Sequence, residues 1–209
     1  MQDAKSLAAL FREKAELVSA KVAEVANLPA ALAYAVDICE KKEACQLLLA
    51  GCGEALSETA AGLCATATDK TIAAPALEPG LLDELKTLAA AKGITVLAEG
   101  MRDHLAGVDL GFTVADWGIA ETGSMVITSR NEDLRLATMV CEVHVAVLPL
   151  SRLRATALDL APVLEQLLAE VPSYTAFITG ASRTADIERV LALGVHGPLE
   201  LHILLWEDE

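Results

Sequence analysis

Aromatic side chains are scarce in this sequence, at 3% of 209 residues. Its core must therefore be built from small aliphatic groups, a composition suited to helices packed closely on a sheet. Basic clusters are missing too, and the formal net charge is −14. A phosphate backbone requires a basic footprint, so nucleic acid is excluded as a partner. Long apolar runs are also absent. The chain is 54% hydrophobic with a mean hydropathy of +0.43, yet no run approaches the ~18 residues of a spanning helix. The opening Met1-Gln2-Asp3-Ala4-Lys5 has neither the basic segment nor the apolar stretch of a secretory signal. The expectation is a cytoplasmic protein with no membrane span.

Tight cysteine pairs are the next absence. Cys39, Cys45, Cys52, Cys64 and Cys141 make an odd count, which argues against a disulfide framework. The first four are separated by five, six and eleven residues, whereas iron–sulfur and zinc sites use closer pairs such as C-x-x-C. No two histidines have metal-ligand spacing on one element. The expectation is no metal and no cofactor, with the thiols acting as small buried hydrophobes. A reactive thiol and a cluster held by this chain alone are the alternatives.

What is present is a succession of short apolar runs and amphipathic stretches. Residues 3–26 read as a helix on Leu7, Leu10, Phe11, Val18, Val22 and Val25. A second helix follows Asn27 and Pro29 and runs to about Glu43. Strands are expected at 45–50, 94–97, 108–114, 125–128, 143–148, 176–179 and 201–205, and helices at 81–91, 157–170 and 184–192. This alternation predicts an α/β fold with a largely parallel sheet covered on both faces, as three α/β/α layers with two leading helices. The chain divides into a helical arm over 1–43 and an α/β domain over 44–209, one folding unit overall. The arm's apolar stripe also predicts self-association into a homo-oligomer.

Three polar segments interrupt the apolar pattern. The first, Asp116 through Ser124, places Glu121, Thr122, Gly123 and Ser124 before a buried strand. Gly123 serves either a close ligand approach or an ordinary turn, with the two hydroxyls bonding backbone. The second, Thr179-Gly180-Ala181-Ser182-Arg183-Thr184-Ala185-Asp186, runs from a strand into the expected helix. Amides at a helix start, hydroxyls and a guanidinium there suit an anion, and the same residues also suit plain capping. The third holds His196 on a Gly-Pro loop, as a proton carrier or as a loop anchor. His144 and His202 lie in apolar strands and read as structural.

In order, spacing and wording these three segments resemble the LutC/YkgG family, single LUD (lactate utilisation) domain proteins. The resemblance covers residues 80–209. It implies a fold like that of the ribose-5-phosphate isomerase and CoA-transferase group. It further implies a part in bacterial oxidation of L-lactate to pyruvate, with clusters belonging to iron–sulfur partner subunits. The residues it carries over are Asp116, Glu121, Thr122, Gly123, Ser124, Ser182, Arg183, Thr184, Asp186 and His196. In that role Arg183 would hold a small carboxylate, with Glu121 or His196 moving a proton. Two alternatives stand beside it. One is a stand-alone enzyme on a phosphosugar or CoA-type substrate, with Glu121 as base or nucleophile and the Ser182–Thr184 turn holding phosphate. The other is a non-catalytic scaffold.

Overall fold

The computed structural model describes residues 4–42, 69–105, 107–169, 174–185, 191–193 and 197–208. Its helices are α1 (Ala4–Leu17), α2 (Leu28–Lys41), α3 (Pro79–Ala90), α4 (Glu132–Val140) and α5 (Ala161–Ala169). Its strands are β1 (Ala20–Val25), β2 (Thr71–Ala73), β3 (Thr95–Leu97), β4 (Val108–Val114), β5 (Trp117–Ile119), β6 (Ser124–Ser129), β7 (Cys141–Pro149), β8 (Leu153–Arg154), β9 (Tyr174–Ile178), β10 (Arg183–Ala185), β11 (Leu191–Leu193) and β12 (Glu200–Trp206). The central sheet has the order β1-β12-β7-β4-β2-β3, and every pairing in it is parallel. The mixed α/β fold with a parallel sheet is as the sequence predicts. The sequence did not indicate a second sheet, β8-β5-β6-β9, mostly antiparallel.

Parallel strands are buried on both faces because their crossovers cover both, and β7 shows how one sequence serves two cores. Val143, Val145 and Val147 join Leu32 and Val36 of α2 and Leu85 and Ala89 of α3. The alternate residues Ala146 and Leu148 join Phe11 and Ala15 of α1 and Met125 and Ile127 of β6. One face of the sheet thus carries α2 and α3, and the other carries α1 and the second sheet. Phe11, the largest apolar group of α1, is fully buried. Of the stripe that motivated self-association, Phe11 is thus covered within the chain, while Leu7, Leu10 and Val22 pack partly buried against the same core.

Two expected helices are corrected. The helix over 3–26 ends at Leu17, and Ser19 takes a left-handed φ of 66°. Residues 20–25 then form edge strand β1 against β12. Val22 and Val25 fit a helical spacing, but Ala20 and Val22 pack to one face while Ala23 and Val25 pack to the other. Sheet pairing decides between two periods that six residues cannot separate. The helix expected over 184–192 is strand at both of its described ends, where β10 pairs antiparallel with β11. Residues 186–190 lie outside the described residues, as does the strand expected at 45–50. The three residues directly after Ser182 are strand rather than the first turn of a helix.

At the amino end of the sheet Lys42 is buried, its side chain 2% exposed. Its Nζ lies 2.9 Å from Asp109 and 2.6 Å from Glu142, tying the end of α2 to β4 and β7. Burial pulls its pKa down, but the two carboxylates outweigh it and leave the pKa raised. Cys39 and Cys141 are buried thiols, each pushed up to about 12 by burial. The other three cysteines lie outside the described residues. Among the described residues no helix is long and apolar enough to cross a membrane.

Candidate functional site

The carboxyl ends of the parallel strands open onto a cleft of ≈ 790 Å³. Val114 ends β4, Pro149 ends β7 and Trp206 ends β12, and all three line it. Ala76, Leu77 and Glu78 enter from the turn between β2 and α3. The chain leaves β2 toward β3 on one side, while from β4 it proceeds to β7 on the other. The cleft therefore spans the point where strand order reverses, the place where open α/β sheets put ligands. Connections diverge there, so no crossover fills the space above the strands.

Asp116, between β4 and β5, is the hub of the polar wall. Its Oδ2 accepts the Thr128 amide at 2.6 Å, fixing the carboxylate at the end of β6. Burial raises its pKa above the usual carboxylate value, and the Thr128 amide, Arg152 and Arg130 offset this only in part. Both arginines line the cleft. Arg152 also donates to the Ala115 carbonyl at 3.4 Å. Asp208 accepts the Ser151 amide at 3.0 Å and its hydroxyl at 2.6 Å, which holds the turn carrying Arg152. Trp117 lies in the wall with the Arg154 guanidinium 4.5 Å from its ring centre. Such an array can bind an anion beside an apolar or aromatic group.

The other described residues singled out in the sequence sit elsewhere. Thr122, Ser124 and Thr179 form a hydroxyl chain, each link 2.7 Å. The Ser182 amide donates to the Pro198 carbonyl at 2.9 Å. The three polar segments therefore do meet, through their turns. The first two meet around the end of α1. A Cβ on Gly123, whose φ is 65°, would lie 2.3 Å from the Ala15 nitrogen. One on Gly180, φ 75°, would lie 2.2 Å from the Val18 carbonyl. Arg183 donates to the Ser19 hydroxyl. These two glycines let the end of α1 approach the backbone closely, and Arg183 secures the turn after it. Glu121 is exposed and accepts the Ala157 amide at 2.7 Å, capping a short 3-10 turn. The side chain of Thr184, and Asp186 and His196, lie outside the described residues.

A second cavity, ≈ 260 Å³, is lined by Ser182, Gly180, Gly197, His144 and Phe177 among others. His144 is buried and bonded to the Thr113 hydroxyl at 2.8 Å, and burial pushes its pKa down to about 4. His202 is held between the Tyr34 hydroxyl at 2.8 Å and Glu200 at 3.0 Å. Both histidines are satisfied structural groups. Among the described residues no three His, Cys, Asp or Glu side chains are placed to hold a metal ion.

A family model for the LUD domain matches residues 8–206. The chain belongs to the LUD domain family. Among curated relatives, lactate utilization protein C of Shouchella clausii is 36% identical over 103 residues, covering 48% of this chain and 45% of that protein. The protein of the same name from Geobacillus kaustophilus is 34% identical over 109 residues, covering 51% and 45%. That of Bacillus subtilis is 31% identical over 103 residues, covering 48% and 43%. The chain thus spans about half the length of the curated relatives it matches. A solved DUF162 family protein from Deinococcus radiodurans superposes with a TM-score of 0.60 over 99% of each chain at 16% identity. That likeness is one of fold.

Among the described residues, sequence reasoning placed only Asp116 in the cleft of this LUD domain. It missed Arg130, Arg152, Trp117 and Trp206. A signal existed: these are the sequence's two tryptophans. The two arginines follow the ends of the runs Met125–Ser129 and Val143–Pro149 by one and three residues. Strand-end position marks them better than motif wording did.

Proposed function

We propose that this LUD domain chain is a cytoplasmic component of bacterial lactate utilisation, with the carboxyl-edge cleft as its ligand site. The name shared by its curated relatives supports the pathway. The single observation that supports the site is the cleft's position over the reversal of strand order, with Arg130 and Arg152 beside Asp116. In this reading the guanidiniums hold the anionic part of the ligand, and Asp116 sets their orientation. Oxidation of lactate to pyruvate releases an electron pair, which iron–sulfur partner subunits accept. The chain then contributes binding and positioning beside those partners.

The test is complementation. A strain lacking this gene should regain growth on L-lactate with the wild-type chain. It should fail to do so with Arg152→Ala, although Arg152 is exposed and its loss should leave the melting temperature within a few degrees. Normal growth of an Arg130→Ala, Arg152→Ala double variant would remove the cleft from the function.

A further inference from the structure

Size and charge both separate the cleft from a bare hydroxy acid. A water occupies about 30 Å³ of liquid, so a three-carbon acid needs on the order of 100 Å³. The cleft offers ≈ 790 Å³, in the range of sites that enclose much larger ligands. Its charged lining is two cations, Arg130 and Arg152, against three carboxylates, Glu78, Asp116 and Asp208, a balance of one negative. A small monoanion would meet that excess directly. A longer ligand can put its anion on the arginines and its hydroxyl or ring N–H donors on the carboxylates.

The apolar lining has a matching character. Aromatics are 3% of the chain, yet Trp117 and Trp206 both line this one cleft. Leu77, Leu81, Val163 and Leu167 complete an apolar wall. Two indole side chains among aliphatic groups favour a planar ring over a flexible chain, with the Arg154 guanidinium already over the Trp117 ring. At one border Glu78, at the start of α3, lines the cleft and makes no side-chain cap bond.

We propose that the cleft takes a planar heteroaromatic ring carrying an anionic group, the shared chemistry of nucleotides and flavins, rather than lactate itself. This rests on the cleft being the ligand site, and not on the pathway. Trp117 and Trp206 flank the ring, Arg152 and Arg130 take the phosphate or carboxylate, and Asp116 and Asp208 accept from hydroxyl or ring donors.

Because both tryptophans line the cleft, intrinsic fluorescence reports its occupancy. The full chain is titrated separately with AMP, FMN and L-lactate, followed by fluorescence and by calorimetry to separate binding from optical artefacts. AMP or FMN should quench saturably at one ligand per chain, and which of the two responds identifies the ring. Arg152→Ala and Trp117→Leu should each weaken binding about tenfold or more, with melting curves confirming that the variants are folded. L-Lactate at tens of millimolar should change neither readout. Saturable lactate binding that excludes AMP and FMN would overturn the proposal while leaving the cleft as the site. If no probe binds and Arg152→Ala still abolishes growth on lactate, the ligand class is wrong and the functional reading stands.

Discussion

Gly123 and Gly180 hold positive φ values of 65° and 75°, and both lie under the end of α1. An alanine at either would place its Cβ within 2.2–2.3 Å of α1 or Val18 backbone atoms. The left-handed conformation alone costs about 1–2 kcal/mol for a residue with a Cβ, and displacement of α1 adds to it. Gly123→Ala and Gly180→Ala should therefore each lower stability by about 2 kcal/mol or more in thermal melts. Gly80 has nothing within 4 Å of its would-be Cβ, so Gly80→Ala is the control and should be neutral or stabilising. Equal effects at all three sites would defeat the seating account. His144 makes a pH prediction. Its folded pKa of about 4 lies below the unfolded 6.5 because burial penalises the charged ring. Its contribution is full above pH 6.5 and is lost as pH falls toward 4. That loss amounts to about 3 kcal/mol at 1.36 kcal/mol per pKa unit. Denaturant midpoints measured between pH 7 and 4 should fall less steeply for His144→Gln than for the wild type.

Among the elements, those with one period and clear punctuation were legible. β4 was placed at its ends, and α3 and β7 within two residues, because apolar runs there are bounded by glycine or proline. α4 was missed although Asn131 caps it, its Oδ1 accepting the Leu134 amide at 2.9 Å. Nine residues between two strands give too little periodicity to stand out. β5 and β8 are shorter still, and their pairing is set by tertiary partners rather than by pattern. Gly123 and Gly180 stood out in the sequence, but the α1 end and Val18 that lie against them did not. A glycine that admits a helix and a glycine that admits a ligand look alike in sequence, since both answer to close backbone approach. Element ends also carry buried charge. Lys42 fastens α2 to Asp109 and Glu142, and Lys42→Met would leave two mostly buried carboxylates facing each other. Removing one partner of such a group costs about 3 kcal/mol, so urea unfolding of that variant should show a loss of that order. A loss below 1 kcal/mol would mean that α2 is held by its apolar face alone.

Across the whole molecule, the two ends of the described chain share one sheet edge. Ala20 stands opposite Leu201 and Val25 opposite Trp206, while α1 rests on turns at Gly123 and Gly180. Beyond local contacts such as Arg12 with Val22 and Glu24, residues 4–25 therefore lack their sheet and turn partners until those distant segments exist. Synthesis runs in one direction at about 5–20 residues per second, so roughly ten to forty seconds separate the making of β1 from that of its partner β12. Through that interval Phe11 and the valines of β1 are exposed on the nascent chain. Within this fold β1 leaves the ribosome long before the strand that pairs with it, and it has to wait.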